Sequence, residues 1–127
     1  MKEMKLIIAG GRDYIFDEAD FDWLNDINSY INIVQVISGH NKGKDPESGM
    51  ITGADYYGEM WAFNNGIPIL MFPADWNKYG TAAGPIRNEQ MAKVANAVAL
   101  FPGGKGTANM EVNANKYNLR IFKRFEK

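Results

Sequence analysis

Length, composition and charge exclude several classes of protein. The chain has 127 residues, no cysteine and one histidine, which excludes disulfide frameworks, thiol nucleophiles, zinc fingers and multi-histidine metal sites. Fourteen basic and fifteen acidic residues give a net charge of -1, without the broad positive field that supplies most non-specific affinity for nucleic acid. We therefore predict a single domain over residues 1–127, no bound metal and no nucleic-acid partner.

The first part of the chain alternates short apolar runs with helical spacing. Lys5–Ala9 is an apolar run followed by two glycines, which predicts a strand buried on both faces. From Asp17, apolar residues recur every three or four positions, which predicts an amphipathic helix with an acidic first turn. The β-branched run Ile33–Ile37 predicts a second strand. Residues 40–51 are rich in Gly, Lys, Asp, Pro and Ser, so we predict a loop there.

The middle of the chain predicts a helix, a strand and a connection. Thr52 and Asp55 have the spacing of a capping box, and the helix that follows is predicted to end at Gly66. Ile67–Phe72 predicts a third strand. Residues 75–83 are polar and aromatic, and we predict that they form a connection.

The last part of the chain repeats the alternation and defines the fold class. Pro85 is predicted at the first position of a helix, Ala97–Phe101 forms a fourth strand, and a further helix precedes a short fifth strand, Arg120–Phe122. Short buried strands that alternate with helices predict an α/β fold: a single Rossmann-like domain with about five parallel strands and helices on both faces. The N-terminal apolar run is too short for a membrane span, so we expect a cytoplasmic protein with no membrane partner.

Three glycine-containing segments directly follow strands 1, 2 and 4, so they share one edge of the predicted sheet. Glycines allow backbone N–H groups to approach an anion closely, and the helix after the third segment adds its positive end. A phosphate-binding cleft is therefore predicted. Its residues are Gly10, Gly11, Arg12, Asp13, Ser38, Gly39, Pro102, Gly103, Gly104, Lys105, Gly106 and Thr107. The alternative is a set of tight turns in which the glycines serve the backbone alone.

Charged and polar side chains near this edge extend the predicted site. Arg87 and Asn88 fall in the first turn of a helix, where an arginine opposes the helix dipole, so anion or ribose recognition would explain its presence. The alternative is an exposed surface arginine. Arg12 is expected to face a ligand phosphate, and Asp13 to orient a loop or bond a ribose hydroxyl, unless the two form a local turn. Asp55 is added as a carboxylate at the same rim.

Two common nucleotide-binding motifs are absent. Neither the glycines around Lys44 nor those around Lys105 have the spacing of a Walker A loop. No G-x-G-x-x-G motif follows the first strand, which argues against an ordinary dinucleotide dehydrogenase. Phe72, Trp76 and Tyr79 lie near the end of the third strand and are candidates for stacking on a base.

Six motifs occur in a fixed order along nearly the whole chain. They are Ile7–Tyr14, Val36–Gly39, Thr52–Asp55, Phe72–Trp76, Ala83–Met91 and Phe101–Thr107. In this order they resemble the SLOG superfamily of Rossmann-like domains, which is related to the lonely-guy phosphoribohydrolases and DNA-processing protein A, and in particular its YspA-like branch. The family joins the second and third motifs by a short loop, whereas an insertion, roughly His40–Met50, lies between them here.

The resemblance implies a nucleotide-like ligand and no other required cofactor. The superfamily binds nucleotides and nucleotide-derived signals such as ADP-ribose-like molecules. The leading hypothesis is therefore a binding protein, either a sensor or, if a phage encodes it, a sponge that sequesters a host immune signal. The helix faces that carry Trp23, Tyr57 and Trp61 are apolar, so we expect a homodimer or a higher homo-oligomer.

A hydrolase is the alternative hypothesis, and the question of enzyme activity stays open. In the phosphoribohydrolase branch a glutamate three residues after the glycine-rich motif acts on the oxocarbenium ion, together with an arginine from the preceding helix. Arg87 matches the arginine, but the glutamate position holds Met110. Glu111 lies one residue further, about 100° around a helix, and is expected to miss the ribose. N-glycosidic hydrolysis of nucleoside monophosphates would then use Arg87 with Glu111, or a carboxylate from Asp13, Asp55 or Glu59.

Overall fold

The computed structural model describes residues 2–125. Strands lie at β1 Glu3–Ala9, β2 Asn32–Ser38, β3 Gly43–Lys44, β4 Ile51–Thr52, β5 Ile69–Met71, β6 Ala97–Leu100 and β7 Arg120–Lys123. Helices lie at α1 Glu18–Tyr30, α2 Ala54–Asn64, α3 Trp76–Tyr79, α4 Ala83–Val94 and α5 Lys105–Lys116, with a 3₁₀ turn at Gly80–Ala82. No helix within the described residues is long and apolar enough to cross a membrane.

Five strands form one parallel sheet in the order β5-β2-β1-β6-β7. The chain runs outward from β1 through β2 to β5 and then crosses to β6, on the other side of β1. Strand order therefore reverses between β1 and β6, and ligands of open α/β sheets bind outside the carboxyl ends of the strands at such a point. The predicted α/β class, with a parallel sheet in a Rossmann-like arrangement, is confirmed.

Both faces of the sheet are covered, which explains why its central strands are continuous apolar runs. Leu6 and Ile8 of β1 point to one face, where α1 and α2 pack, and Trp61 of α2 belongs to that core. Ile7 points to the opposite face, where Met91 of α4 and Met110 of α5 complete a second core. Side chains alternate across a strand, so only a strand that is covered on both faces needs apolar residues at successive positions.

The predicted loop 40–51 contains a small antiparallel hairpin. Gly43 pairs with Thr52 and Lys44 with Ile51, while the Asp45 carboxylate accepts hydrogen bonds from the Ser48 backbone N–H and hydroxyl at 3.2 and 2.6 Å. Strands of two residues are too short to produce a periodic pattern, so the sequence carries no signal for them.

The capping box expected at Thr52 and Asp55 is wrong. Gly53 is the residue before α2, with a φ of +117°, and no side chain caps that helix. Thr52 Oγ1 donates instead to the Arg12 carbonyl at 3.0 Å, and Asp55 Oδ2 accepts from the Asn41 backbone N–H at 2.9 Å. The side chains of Thr52 and Asp55 therefore form hydrogen bonds with residues distant in sequence, and not the local bonds of a capping box that their spacing predicts.

The connection predicted at 75–83 is mostly helical. Asp75 caps α3 by accepting from the Lys78 backbone N–H at 3.0 Å, and the 3₁₀ turn leads straight into α4 at Ala83. Pro85 is consequently the third helical residue and not the first. Proline is tolerated there because the first four N–H groups of a helix have no partner within it.

The aromatic side chains expected at a dimer face belong to the core. Trp61 is 3% exposed, and Trp23 and Tyr57 are partly buried against the same cluster. The amphipathic pattern on these helices is therefore satisfied within one chain. The apolar side chains that remain exposed are spread over several elements, and among them are Phe63 at the end of α2, which is 79% exposed, and Leu70 and Met71 of the edge strand β5.

Candidate functional site

A cavity of about 230 Å³ opens at the carboxyl ends of β1, β2 and β6, at the reversal of strand order. Its walls are the loop after β1, the segment that follows β2, the first turns of α2 and α5, the second turn of α4, and two methionines. The lining residues are Ala9, Gly10, Gly11, Arg12, Gly39, Asn41, Asp55, Arg87, Asn88, Met91, Gly104, Gly106, Thr107 and Met110.

Most of the residues predicted from the sequence meet in this cavity. Those that line it are Gly10, Gly11, Arg12, Gly39, Asp55, Arg87, Asn88, Gly104, Gly106 and Thr107. Those that do not line it are Asp13, Ser38, Pro102, Gly103 and Lys105. Asp13 and Lys105 are exposed at the rim, whereas the buried Ser38 donates its hydroxyl to Glu59.

The N-terminus of α5 is open toward solvent and toward the cavity. Gly104 precedes the helix without a side-chain cap, and the first helical bond runs from the Ala108 N–H to the Gly104 carbonyl at 3.0 Å. The N–H groups of the first turn therefore have no partner within the helix. A Cβ atom added at Gly104 or Gly106 would meet nothing within 4 Å, so the space beside both residues is open. An uncapped helix N-terminus of this kind is suited to an anion.

Two other glycines serve packing, whatever occupies the cavity. The Gly11 N–H donates to the Pro102 carbonyl at 2.8 Å and joins the loops after β1 and β6. A Cβ atom at Gly10 would lie 2.7 Å from the Cβ atoms of both Ala54 and Phe101. For these positions the alternative drawn from the sequence, a purely structural requirement for glycine, is sufficient.

Arg87 places its guanidinium group at the inner wall. Nη1 donates to the Gly39 carbonyl at 2.7 Å and Nε to Asn88 Oδ1 at 3.0 Å. Among residues 2–125, no group accepts a hydrogen bond from Nη2. Burial lowers the pKa of the Arg87 guanidinium and the nearby Asp55 carboxylate opposes that shift. Arg87 therefore lines the cavity as a fixed cation with one nitrogen, Nη2, that has no partner among the described residues.

Asn88 lines the cavity, but its polar atoms are already bonded. Nδ2 donates to the Gly106 carbonyl at 3.1 Å and to Asn109 Oδ1 at 3.0 Å, while Oδ1 accepts from Arg87. Asn88 therefore ties α4 to the first turn of α5 and orients the arginine. It is a positioning residue and contributes no free hydrogen-bonding group.

Asp55 supplies a buried carboxyl group close to Arg87. The residue is 7% exposed, and burial raises the pKa of its carboxyl group to about 6, against the stabilising Asn41 N–H and Arg87. A Cβ atom at Gly39 would lie 2.6 Å from Arg87 Nη1 and 3.2 Å from Asp55 Oδ2. Glycine at position 39 therefore allows the cation and the carboxyl group to pack against the same backbone.

Beside the cavity lies a hydrogen-bond network that sequence reasoning missed. Glu59 Oε2 accepts from the Ser38 hydroxyl at 2.7 Å and contacts His40 Nδ1 at 2.8 Å. His40 has a φ of +56°, a left-handed conformation that is uncommon for a residue other than glycine. The Glu59 carboxylate is thus engaged by two partners and does not line the cavity.

The insertion packs against the outer wall of the cavity. Arg12 donates from Nε to the Lys42 carbonyl at 2.8 Å, and a Cβ atom at Gly43 would lie 2.5 Å from the Arg12 carbonyl oxygen. Asn41, which sequence reasoning also missed, lines the cavity and binds Asp55. The hairpin is therefore packed into the site and not appended to it.

Glu111 lies outside the cavity, in keeping with its rotation around α5. Its carboxylate pairs with Lys123 Nζ at 3.2 Å, and Met110 occupies the lining. The proposed base-stacking side chains also lie outside. Tyr79 lines a separate cavity of about 220 Å³ on the other side of Arg87, and Trp76 is 58% exposed.

Comparison with known proteins adds nothing to this geometry. No protein-family model and no curated protein sequence matches the chain. The fold and the site define a Rossmann-like α/β domain with a polar cavity at the reversal of strand order. The resemblance to the SLOG superfamily stays a prediction that rests on the ordered motifs.

Proposed function

We propose that this chain binds a phosphate-bearing, nucleotide-derived small molecule in the cavity, either an ADP-ribose-like molecule or a nucleoside phosphate, as a sensor or as a sequestering protein. One observation carries the proposal: Arg87, whose Nη2 has no partner among the described residues, and the open first turn of α5 line the same cavity. A helix N-terminus and a guanidinium group are the two protein groups best suited to a phosphate. Membership of the SLOG superfamily is part of this proposal and is supported by the motif order and the parallel sheet.

The size of the cavity limits what it encloses. Pockets for drug-sized ligands span roughly 300–1,000 Å³, and this cavity of about 230 Å³ is smaller. It suits a phosphate with its sugar, so the base would lie at the mouth. The ligand class is therefore defined more strongly by the sugar phosphate than by the base.

Native mass spectrometry tests binding directly. The purified protein, alone and after incubation with AMP or ADP-ribose, is expected to carry one ligand that denaturation releases unchanged. Failure of the protein to carry any phosphate-bearing molecule in all three samples would contradict the proposal.

A second candidate function, N-glycosidic hydrolysis of nucleoside monophosphates, is favoured by Asp55. Asp55 supplies a carboxyl group in place of the glutamate missing at Met110, because it lines the cavity beside Arg87. This function predicts free base and ribose phosphate after incubation with AMP. Repeated turnover of AMP would show that the protein is an enzyme and not only a binding protein. Intact AMP after prolonged incubation would exclude hydrolase activity on this substrate.

A homodimer or higher homo-oligomer is also proposed, through a surface different from the one expected. Phe63 at the end of α2, together with Leu70 and Met71 of the edge strand β5, presents exposed apolar area. An edge strand with such neighbours is suited to association. Light scattering of the protein and of Phe63→Ser distinguishes this from a monomer, which would show the same mass for both.

A further inference from the structure

Few of the side chains that line the cavity can still accept a hydrogen bond from a ligand. The polar atoms of Asn88 already form hydrogen bonds with Arg87, Gly106 and Asn109. The Glu59 carboxylate does not line the cavity. Asn41 and Thr107 also line the cavity with polar side chains, but Asp55 carries the only carboxylate among the lining residues, and only its Oδ2 has a partner, the Asn41 N–H.

Asp55 Oδ1 is open to the cavity. No group among residues 2–125 donates to it, and no buried side-chain oxygen in this part of the chain lacks a partner. An oxygen without a partner is therefore reachable from the cavity, although the residue as a whole is 7% exposed. A ligand hydroxyl that reaches this oxygen can donate to it, and a hydrogen bond to an ionised carboxylate is stronger than one between neutral groups.

The position of this oxygen indicates which group supplies the donor. Arg87 and the first turn of α5 would hold the phosphate, and Asp55 packs on Gly39 beside the arginine. In a cavity of this size the donor must belong to the part of the ligand next to the phosphate. In a nucleoside phosphate that part is the sugar, and its donors are hydroxyl groups.

We propose that Asp55 accepts a hydrogen bond from a hydroxyl group of the ligand's sugar, so that the cavity selects ribose-bearing over deoxyribose-bearing phosphates. This inference rests on the proposed binding function and deepens it. A site built to bond a hydroxyl discriminates strongly against the analogue without it, because its own acceptor is then left unpaired. For a bond to an ionised group we expect a preference of about ten- to a hundredfold.

Calorimetric titration at pH 8 tests the inference. The ligands are AMP with its 2′-deoxy and 3′-deoxy forms, and ribose 5-phosphate with 2-deoxyribose 5-phosphate. The wild-type protein should lose affinity for at least one deoxy form by the expected factor, and Asp55→Asn should reduce the ratio to less than about threefold. Asp22→Asn is the matched control, because this exposed carboxylate of α1 does not line the cavity, and it should keep the wild-type ratio.

The possible failures are distinguishable. Equal affinity of the wild-type protein for ribose and deoxyribose forms would overturn the role of Asp55 and leave the binding function standing. An unchanged ratio in Asp55→Asn would do the same. Absence of binding to both series and to ADP-ribose would contradict the binding function itself, and with it this inference.

The pH dependence of the ratio gives a second readout. The groups that act on Asp55 are Arg87 from α4, Glu59 from α2 and His40 from the loop after β2. Protonation of Asp55 would remove the charged acceptor, so the ribose preference should fall as the pH drops through about 6. Ionisation of the phosphate affects both forms alike and cancels in the ratio. A ratio that stays constant from pH 8 to pH 5 would count against Asp55.

Discussion

Arg87 is held by acceptors from separate parts of the chain. Its guanidinium group bonds the Gly39 carbonyl after β2 and Asn88 of its own helix, and lies 3.4 Å from the Phe72 carbonyl after β5. The prediction that Arg87 lies in the first turn of a helix, where arginine is unfavourable, is wrong by one turn, because α4 begins at Ala83 and Arg87 is its fifth residue. The orientation of Arg87 could not be predicted from the sequence, since the fixing partners lie 48 and 15 residues away.

Replacing Arg87 should remove affinity for AMP and ADP-ribose. Arg87→Met keeps most of the side-chain volume but removes the charge and the donors, and we expect a loss of about ten- to a hundredfold in affinity. Arg87→Lys keeps the charge but lacks the planar set of donors of a guanidinium group. Its affinity should lie between those of the wild type and Arg87→Met. Arg120→Met, at the opposite end of the sheet, is the control and should bind as the wild type does. Equal affinities for all three variants would exclude an arginine-bound phosphate.

Asp55 should make the folded protein less stable as the pH rises. Its pKa is about 6 in the folded state against 3.8 ordinarily, so between these values the folded state holds a proton that the unfolded state has lost. The free energy of unfolding therefore falls as the pH rises through this window, by up to about 3 kcal/mol for two pKa units.

Asp55→Asn should consequently be more stable than the wild type at pH 8, with a difference that disappears near pH 4. The asparagine oxygen can still accept from the Asn41 N–H, so the loop contact is kept. Urea unfolding at both pH values measures this difference. A variant less stable than the wild type at pH 8 would show that the ionised carboxylate is stabilised by its neighbours.

The elements that could be predicted are those whose burial produces a pattern. β1, β2 and β6 are covered on both faces and therefore read as apolar runs, and Gly66, with a φ of +68°, correctly ends the second helix. The hairpin β3–β4, α3 and the true start of α4 were missed because each is short or depends on contacts distant in sequence. The glycine segments could be assigned to one edge because parallel strands share it, but the free oxygen of Asp55 depends on packing.

Two glycine-to-alanine changes separate packing from ligand access. Gly58→Ala in α2 would place its Cβ 2.6 Å from Ile8 Cγ2, so we expect a loss of about 1–3 kcal/mol of stability, although alanine is the better helix former. Gly106→Ala in α5 meets no neighbour and should keep or raise stability while weakening AMP binding. Thermal unfolding and titration of both variants measure the two effects, and unchanged AMP affinity in Gly106→Ala would place the phosphate elsewhere.

At the scale of the whole molecule the charge balance predicts weak affinity for nucleic acid. A net charge of -1 gives no field that would attract a polyanion, and several basic side chains are paired, as Lys116 with Glu89 and Arg124 with Asp20.

We therefore expect no mobility shift of single-stranded DNA at salt concentrations near 150 mM, a condition that screens weak contacts. A shift that weakens steeply with added salt would instead indicate phosphate contacts and a function nearer to that of the DNA-processing relatives.

The hairpin inserted after β2 has one further consequence. Its base is fixed to the cavity wall through Asn41 and Lys42, whereas residues 46–50 at its tip are exposed. The chain contains no cysteine, so Glu47→Cys would create its single thiol. A fluorophore attached to this thiol would lie on the exposed tip of a hairpin whose base contacts the binding site. Its emission would then report in real time whether a ligand occupies the cavity.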